Sequence, residues 1–147
     1  MPTFFKILVC ALIAVTVCLP RRAPAASSLV SIIDLGAVGD GQTLNTKVIQ
    51  AAIDRVAAQS GGTVTIPKGV FLSGAVFLKP GVNLHLDEGA VLKGSTNIED
   101  YPKTRTRIEG HFEEWIPALV NAKECDHVRI EGAGTLDGSG QPFWDLF

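Results

Sequence analysis

An all-β parallel β-helix, closed at its first end by one amphipathic helix, is the fold this 147-residue sequence predicts. Three observations predict it. From Gly61 to Ser95, short runs alternate apolar with polar residues: Val64 and Ile66 with Thr63 and Thr65, then Val82, Leu84 and Leu86 with Asn83, His85 and Asp87. That period of two is a strand with one buried face. The breaks between runs are Pro67-Lys68-Gly69, Lys79-Pro80-Gly81 and Glu88-Gly89, none of them the Asn-Gly or Asp-Gly pair that closes an antiparallel hairpin. The runs also lie too close together for crossover helices, which excludes ordinary parallel α/β units. A β-sandwich has many short strands too, but corner-like turns favour a chain coiling about an axis.

Taken in order, residues 1–26 stand apart from the fold. Lys6 supplies a positive start, Ile7 to Leu19 an apolar run, and Ala23-Pro24-Ala25 a small-residue cleavage site. Together they read as a secretory signal peptide cut after Ala25, leaving residues 27–147 as the domain and a secreted or periplasmic product. The apolar run is shorter than the roughly 20 residues a membrane span needs, so no stable membrane insertion is expected. Cleavage removes Cys10 and Cys18 and leaves Cys125 alone, so no intrachain disulfide forms. It also removes Lys6, Arg21 and Arg22, taking 13 basic residues to 10 against 15 acidic, a net charge of −5. An acidic chain of this kind lacks the basic footprint of a nucleic-acid binder.

Ser31 to Leu35 reads as the first strand, and Gly36-Ala37-Val38-Gly39-Asp40-Gly41 as a glycine-rich turn whose spacing fails the dinucleotide-binding pattern. Asn45 or Thr46 then starts a helix running to about Ala58. Its apolar positions Val48, Ile49, Ala52, Ile53 and Val56 share one face, and Gly61-Gly62 ends it. Such a helix covers the open end of a solenoid and protects its first strand edges. Phe71 to Leu78, kinked at Gly74, and Ala90 to Leu92 continue the strands. Three more segments follow, Pro117–Ala122, His127–Gly132 and Gly134–Gly138. Ile66, Leu84, Leu86, Val128, Ile130 and Leu136 are expected in one buried core.

Asn97 to Trp115 is a polar interruption, expected to project from the solenoid as a loop. It carries Tyr101, Lys103, Arg105, Arg107, His111 and Trp115. Taken singly, each fits a solvated insertion. Taken together, basic residues at alternate positions beside aromatics suit an anionic sugar, because guanidinium groups pair with carboxylates and aromatic faces pack on sugar rings. Tyr101, Arg105, Arg107, His111 and Trp115 are therefore the candidate substrate-binding residues. His111 is too isolated to be a metal ligand, and no cofactor is expected.

Beyond these readings, Asp34-Leu35-Gly36-Ala37-Val38-Gly39-Asp40-Gly41-Gln42-Thr43, Ile49-Gln50-Ala51-Ala52-Ile53 and Gly62 to Gly69 resemble the start shared by pectin-degrading β-helix proteins. Leu84 to Ser95, Asp100-Tyr101-Pro102 and Ile130 to Gly140, ending near Trp144, narrow this to a resemblance to glycoside hydrolase family 28. That family contains polygalacturonases and rhamnogalacturonan hydrolases. The resemblance implies a right-handed, pectin-lyase-like solenoid, a pectic polysaccharide as partner, and inverting hydrolysis of galacturonic-acid polymers without a metal. Inversion places a carboxylic acid and a carboxylate base about 6.5–9.5 Å apart across the scissile bond. The family's Asn-Thr-Asp, Asp-Asp, Gly-His-Gly and Arg-Ile-Lys motifs are missing from this sequence. The resemblance therefore implies a truncated, N-terminal portion carrying no catalytic residue. Asp87-Glu88 and Glu113-Glu114 are adjacent carboxylates outside those motifs, and an extended chain would send Asp87 and Glu88 to opposite faces. Two other functions remain open. One is a non-catalytic, adhesin-like carbohydrate-binding β-helix. The other is a calcium-dependent lyase, for which the sequence offers no calcium-binding cluster of aspartates.

Overall fold

The computed structural model describes residues 28–145. The expected leader, 1–26, lies outside the described residues. What is described is a right-handed parallel β-helix of three sheets.

Each coil lays one strand on each sheet. The first complete coil is β3 (Gly62–Ile66), β4 (Gly69–Ser73) and β5 (Val76–Leu78). The next is β6 (Val82–Leu86), β7 (Ala90–Gly94) and β10 (Val120–Ala122). The third begins with β11 (Arg129–Gly132) and β12 (Thr135–Asp137), followed by a short helix, α2 (Gln141–Trp144). All pairings between coils are parallel: β3 with β6, β6 with β11, β4 with β7, β7 with β12, and β5 with β10. Because register is kept, inward residues stack in columns. Val64 faces Leu84, Ile66 faces Leu86, Phe71 faces Leu92, and all are buried. Apolar area removed from water in these columns is what holds the coils together.

Ahead of the complete coils lies a partial one. β1 (Ser28–Ser31) pairs with β3, and β2 (Asp40–Leu44) pairs with β4. On the third sheet helix α1 (Thr46–Ala58) takes the strand's place. Ile49, Ala52, Ile53 and Val56 bury against the core, as their spacing predicts. The polar face of α1 closes the sheet edge. The Gln50 amide donates to the Phe77 carbonyl at 3.0 Å and accepts from the Phe77 N–H at 2.9 Å. Thr46 Oγ1 accepts from the Gly74 N–H at 2.7 Å. Side chains thus take the positions a further parallel strand would fill.

Four expectations are corrected. Ile32–Leu35 is a 3-10 helix, and the first strand lies before it. Leu35-Gly36 can close that turn because Gly36 adopts φ 93°, a left-handed value open to glycine. Polar Asp40–Leu44 is a strand, which its composition hides, because its pairing with β4 supplies the order. Ile130 and Leu136 are half exposed, although they stand in register with buried Leu84 and Leu92. They face the axis as expected, but no described residue stacks over them; Val128 packs partly against the core. Last, the polar interruption is an antiparallel hairpin, not an irregular loop: β8 (Thr104–Ile108) and β9 (His111–Trp115) pair across Glu109-Gly110. Both turn residues have positive φ, as the tight hairpin turn demands.

Candidate functional site

The hairpin register decides which side chains can act together. Opposite residues of an antiparallel pair share a face. Arg105 lies opposite Glu114 and Arg107 opposite Phe112, so these four share one face. Thr104 with Trp115, Thr106 with Glu113, and Ile108 with His111 share the other. The arginines are therefore separated from Trp115 and His111 by the thickness of the hairpin. The aromatic ring beside them is Phe112, with the Arg105 guanidinium 5.7 Å from its centroid, within cation–π range.

The hairpin borders the third sheet with residues of both its faces. A concavity of about 510 Å³ is lined by Thr104, Arg105, Thr106, Arg107 and Phe112 from the hairpin, Phe77, Asn121 and Ala122 from β5 and β10, and Lys123 beyond β10. Phe77 and Asn121 are register partners that point outward between inward-facing neighbours. Asn121 is held by its own turn: its amide donates to the Ala118 carbonyl at 2.6 Å and the Val76 carbonyl at 3.2 Å. Gln50 fixes Phe77 from the side of α1. Among the described residues, no carboxylate comes within 4.0 Å of Arg105, Arg107 or Lys123. Three cations, two on β8 and one just past β10, with the Phe77 and Phe112 rings in the same lining, can hold an anionic polymer lying along the groove.

The other candidates sit elsewhere. Tyr101 is buried, its hydroxyl donating to the Ser95 carbonyl at 3.0 Å and its ring edge-on to Phe143 at 5.3 Å. Burial, with the Asp100 charge beside it, raises its pKa. The Ser95 hydroxyl donates to the Asp100 carboxylate, which locks this base of the hairpin. Tyr101 thus anchors the excursion instead of lining the groove. His111 lies at the tip, 3.5 Å from Glu113. Phe112, Phe77, Asn121 and Lys123 were missed by sequence reasoning. The Glu109-Gly110 turn between two runs was the available signal for Phe112, because it sets the register; the others depend on coil stacking.

Glu113 and Glu114 point to opposite faces of β9, and Asp87 is engaged with His85 at 3.3 Å. No group of three or more His, Cys, Asp or Glu able to hold a metal exists among the described residues. No helix among them is long and apolar enough to cross a membrane.

The fold defines a class: a right-handed parallel β-helix of stacked coils. Residues 29–112 match the model of the rhamnogalacturonase A/epimerase, pectate lyase-like family, and the chain belongs to that family. It is 40% identical over 125 residues to an exo-poly-α-D-galacturonosidase of Dickeya chrysanthemi, covering 79% of this chain and 20% of the relative. A hyperthermoactive exopolygalacturonase from Thermotoga maritima superposes with a TM-score of 0.72 at 37% identity, covering 79% of this chain and 26% of that one. A plasmin and fibronectin-binding protein A of Streptococcus pneumoniae is 41% identical over 112 residues, covering 75% of this chain and 15% of the relative. The chain thus spans about a fifth to a quarter of the length of the galacturonan-cleaving proteins it matches.

Proposed function

We propose that this chain is the substrate-holding, N-terminal portion of a secreted pectin-degrading glycosidase, and that its groove binds an acidic sugar polymer. The observation that carries the reading is the groove over β5 and β10, with Arg105, Arg107 and Lys123 around it and no carboxylate paired to them among the described residues. In this reading Phe77 and Phe112 pack against sugar rings, while Tyr101, Trp115 and His111 support the hairpin. The family's hydrolysis would be inverting, with its acid and base supplied by segments outside this sequence. Export follows from the leader at 1–26, with cleavage near Ala25.

The test is electrophoresis of the full chain through gels containing polygalacturonate or neutral galactan. The expected result is retardation by polygalacturonate alone, weakened about tenfold or more by R105Q/R107Q, the worth of one or more charge-assisted hydrogen bonds. Equal retardation of wild type and variant would refute the groove assignment.

A second reading is favoured by the streptococcal relative, whose name describes binding to host proteins. Under it the β-helix is an adhesive surface. Measuring turnover by the full-length gene product separates the two: an inactive full-length protein that binds protein ligands supports adhesion.

A further inference from the structure

A second concavity lies on the first sheet, away from the hairpin. Its volume is about 360 Å³, and Ser60, Gly61, Gly62, Gly81, Asn83, His127 and Arg129 line it. Its floor is bare backbone. Gly61, Gly62 and Gly81 all have positive φ, and a Cβ on Gly61 would come within 2.6 Å of the Gly81 carbonyl. Side chains are absent because the corners of successive coils approach each other here, with the Gly62 N–H donating to the Gly81 carbonyl at 3.0 Å.

Around that floor stand three donor side chains. Asn83 and Arg129 are register partners on β6 and β11, so they lie one strand spacing apart on the outward face. His127, two residues before β11, is itself left-handed, φ 57°. Among the described residues, none of these three side chains makes a hydrogen bond or ion pair, and no acidic side chain lines the concavity. The neighbouring outward column behaves differently: His85 lies between Asp87 at 3.3 Å and Glu131 at 3.9 Å. Acidic side chains flank His85, while none lines the concavity beside Arg129.

We infer that this concavity is a second anion site, which takes the carboxylate of a uronate sugar on the Arg129 guanidinium, with the Asn83 amide and His127 imidazole as further donors. A guanidinium offers a paired donor edge that matches a carboxylate, and the glycine floor lets a sugar ring approach the backbone. The site is separate from the groove of Arg105 and Arg107 and uses different residues, so either can fail alone.

The experiment is amide chemical-shift mapping of the full chain titrated with trigalacturonate, a neutral galactose trimer, and inorganic phosphate. Trigalacturonate is expected to shift the amides of Gly61, Gly62, Gly81 and Arg129, and R129Q to weaken those shifts about tenfold without altering shifts in the hairpin groove. Arg129 is exposed, so the variant keeps the core intact. R105Q/R107Q should leave the Gly61–Gly81 shifts unchanged. Phosphate binding at the same amides supports an oxyanion site and widens its ligand to compact anions. Equal shifts from the neutral trimer, or uronate shifts that survive R129Q, would overturn the inference.

Discussion

Asn45 is the residue whose replacement most directly tests how the first end of the solenoid is held. It is buried and sits where a helix cap would act, yet its side chain makes no cap bond to α1. Its Oδ1 accepts from the Val38 N–H at 2.8 Å, and its amide donates to the carbonyls of Val38 at 2.9 Å and Thr43 at 2.7 Å. It therefore pins the glycine-rich turn to the start of the helix. Asn45→Ala removes these bonds and a longer fourth one, from the amide to the Leu72 carbonyl at 3.4 Å, a loss of about 3 kcal/mol at roughly 1 kcal/mol for each short bond. Asn45→Asp keeps the shape but turns an oxygen toward the carbonyls of Val38, Thr43 and Leu72, which lose their donor. The folded chain then holds the carboxyl protonated, with its pKa above the unfolded value. Below the unfolded pKa both states carry the proton, and the variant is least impaired. As pH rises through that value the unfolded chain ionises first, so stability falls until the folded pKa is passed. Urea melts at pH 3 and pH 7, each referred to wild type, should show the Asp variant losing about 2 kcal/mol more at pH 7, the worth of roughly one and a half pKa units. A deficit independent of pH, or an Ala variant within about 0.5 kcal/mol of wild type, would refute this account of the turn.

Other outcomes are expected on the same logic. Leu86→Ala should destabilise by about 2–5 kcal/mol, because the side chain is enclosed. Ile130→Ala should cost less than about half of that by the same denaturation assay, because Ile130 is half exposed. Asp40 should titrate at about 2, held down by the N–H groups of Thr43 and Gln42 and the Thr43 hydroxyl. Its stabilisation of the turn is present above the ordinary carboxylate range and is lost as pH falls through about 2, which carboxyl NMR would follow. A reducing-end assay with polygalacturonate and rhamnogalacturonan should find no turnover by the purified chain 27–147, since the groove among the described residues holds no carboxylate in its lining. Robust hydrolysis would show that the site has been misread.

The β-helix was legible because burial in a coil writes period two directly into Val64–Ile66 and Val82–Leu86, and because Pro and Gly mark the corners. Helix α1 was legible for the matching reason, one apolar face at helical spacing. Two kinds of fact were not. Whether Ile130 is covered depends on what stacks beyond it, which a residue's own alternation does not encode. Whether Arg105 meets Trp115 or Phe112 depends on hairpin register, so a linear cluster of basic and aromatic residues was divided between two faces. Lys123 and Phe77 join the groove only through the stacking of β10 on β5, across more than forty residues of sequence.

The corner between the second and third sheets shows where this architecture can lengthen. The first complete coil turns it with Gly74 and Ala75 alone, whereas the next coil leaves at Gly94 and returns at Val120. Even so, Val120 lands on Val76 in unbroken register. Chain entropy makes such a detour inexpensive, since closing a loop grows only with the logarithm of its length, and stretching two residues to about 25 costs roughly 2 kcal/mol. A hairpin that pairs with itself offsets part of that. The wall of the groove is therefore thermodynamically detachable from its floor: the excursion at this corner can be exchanged while the columns of Val, Leu and Ile inside the coil stay as they are.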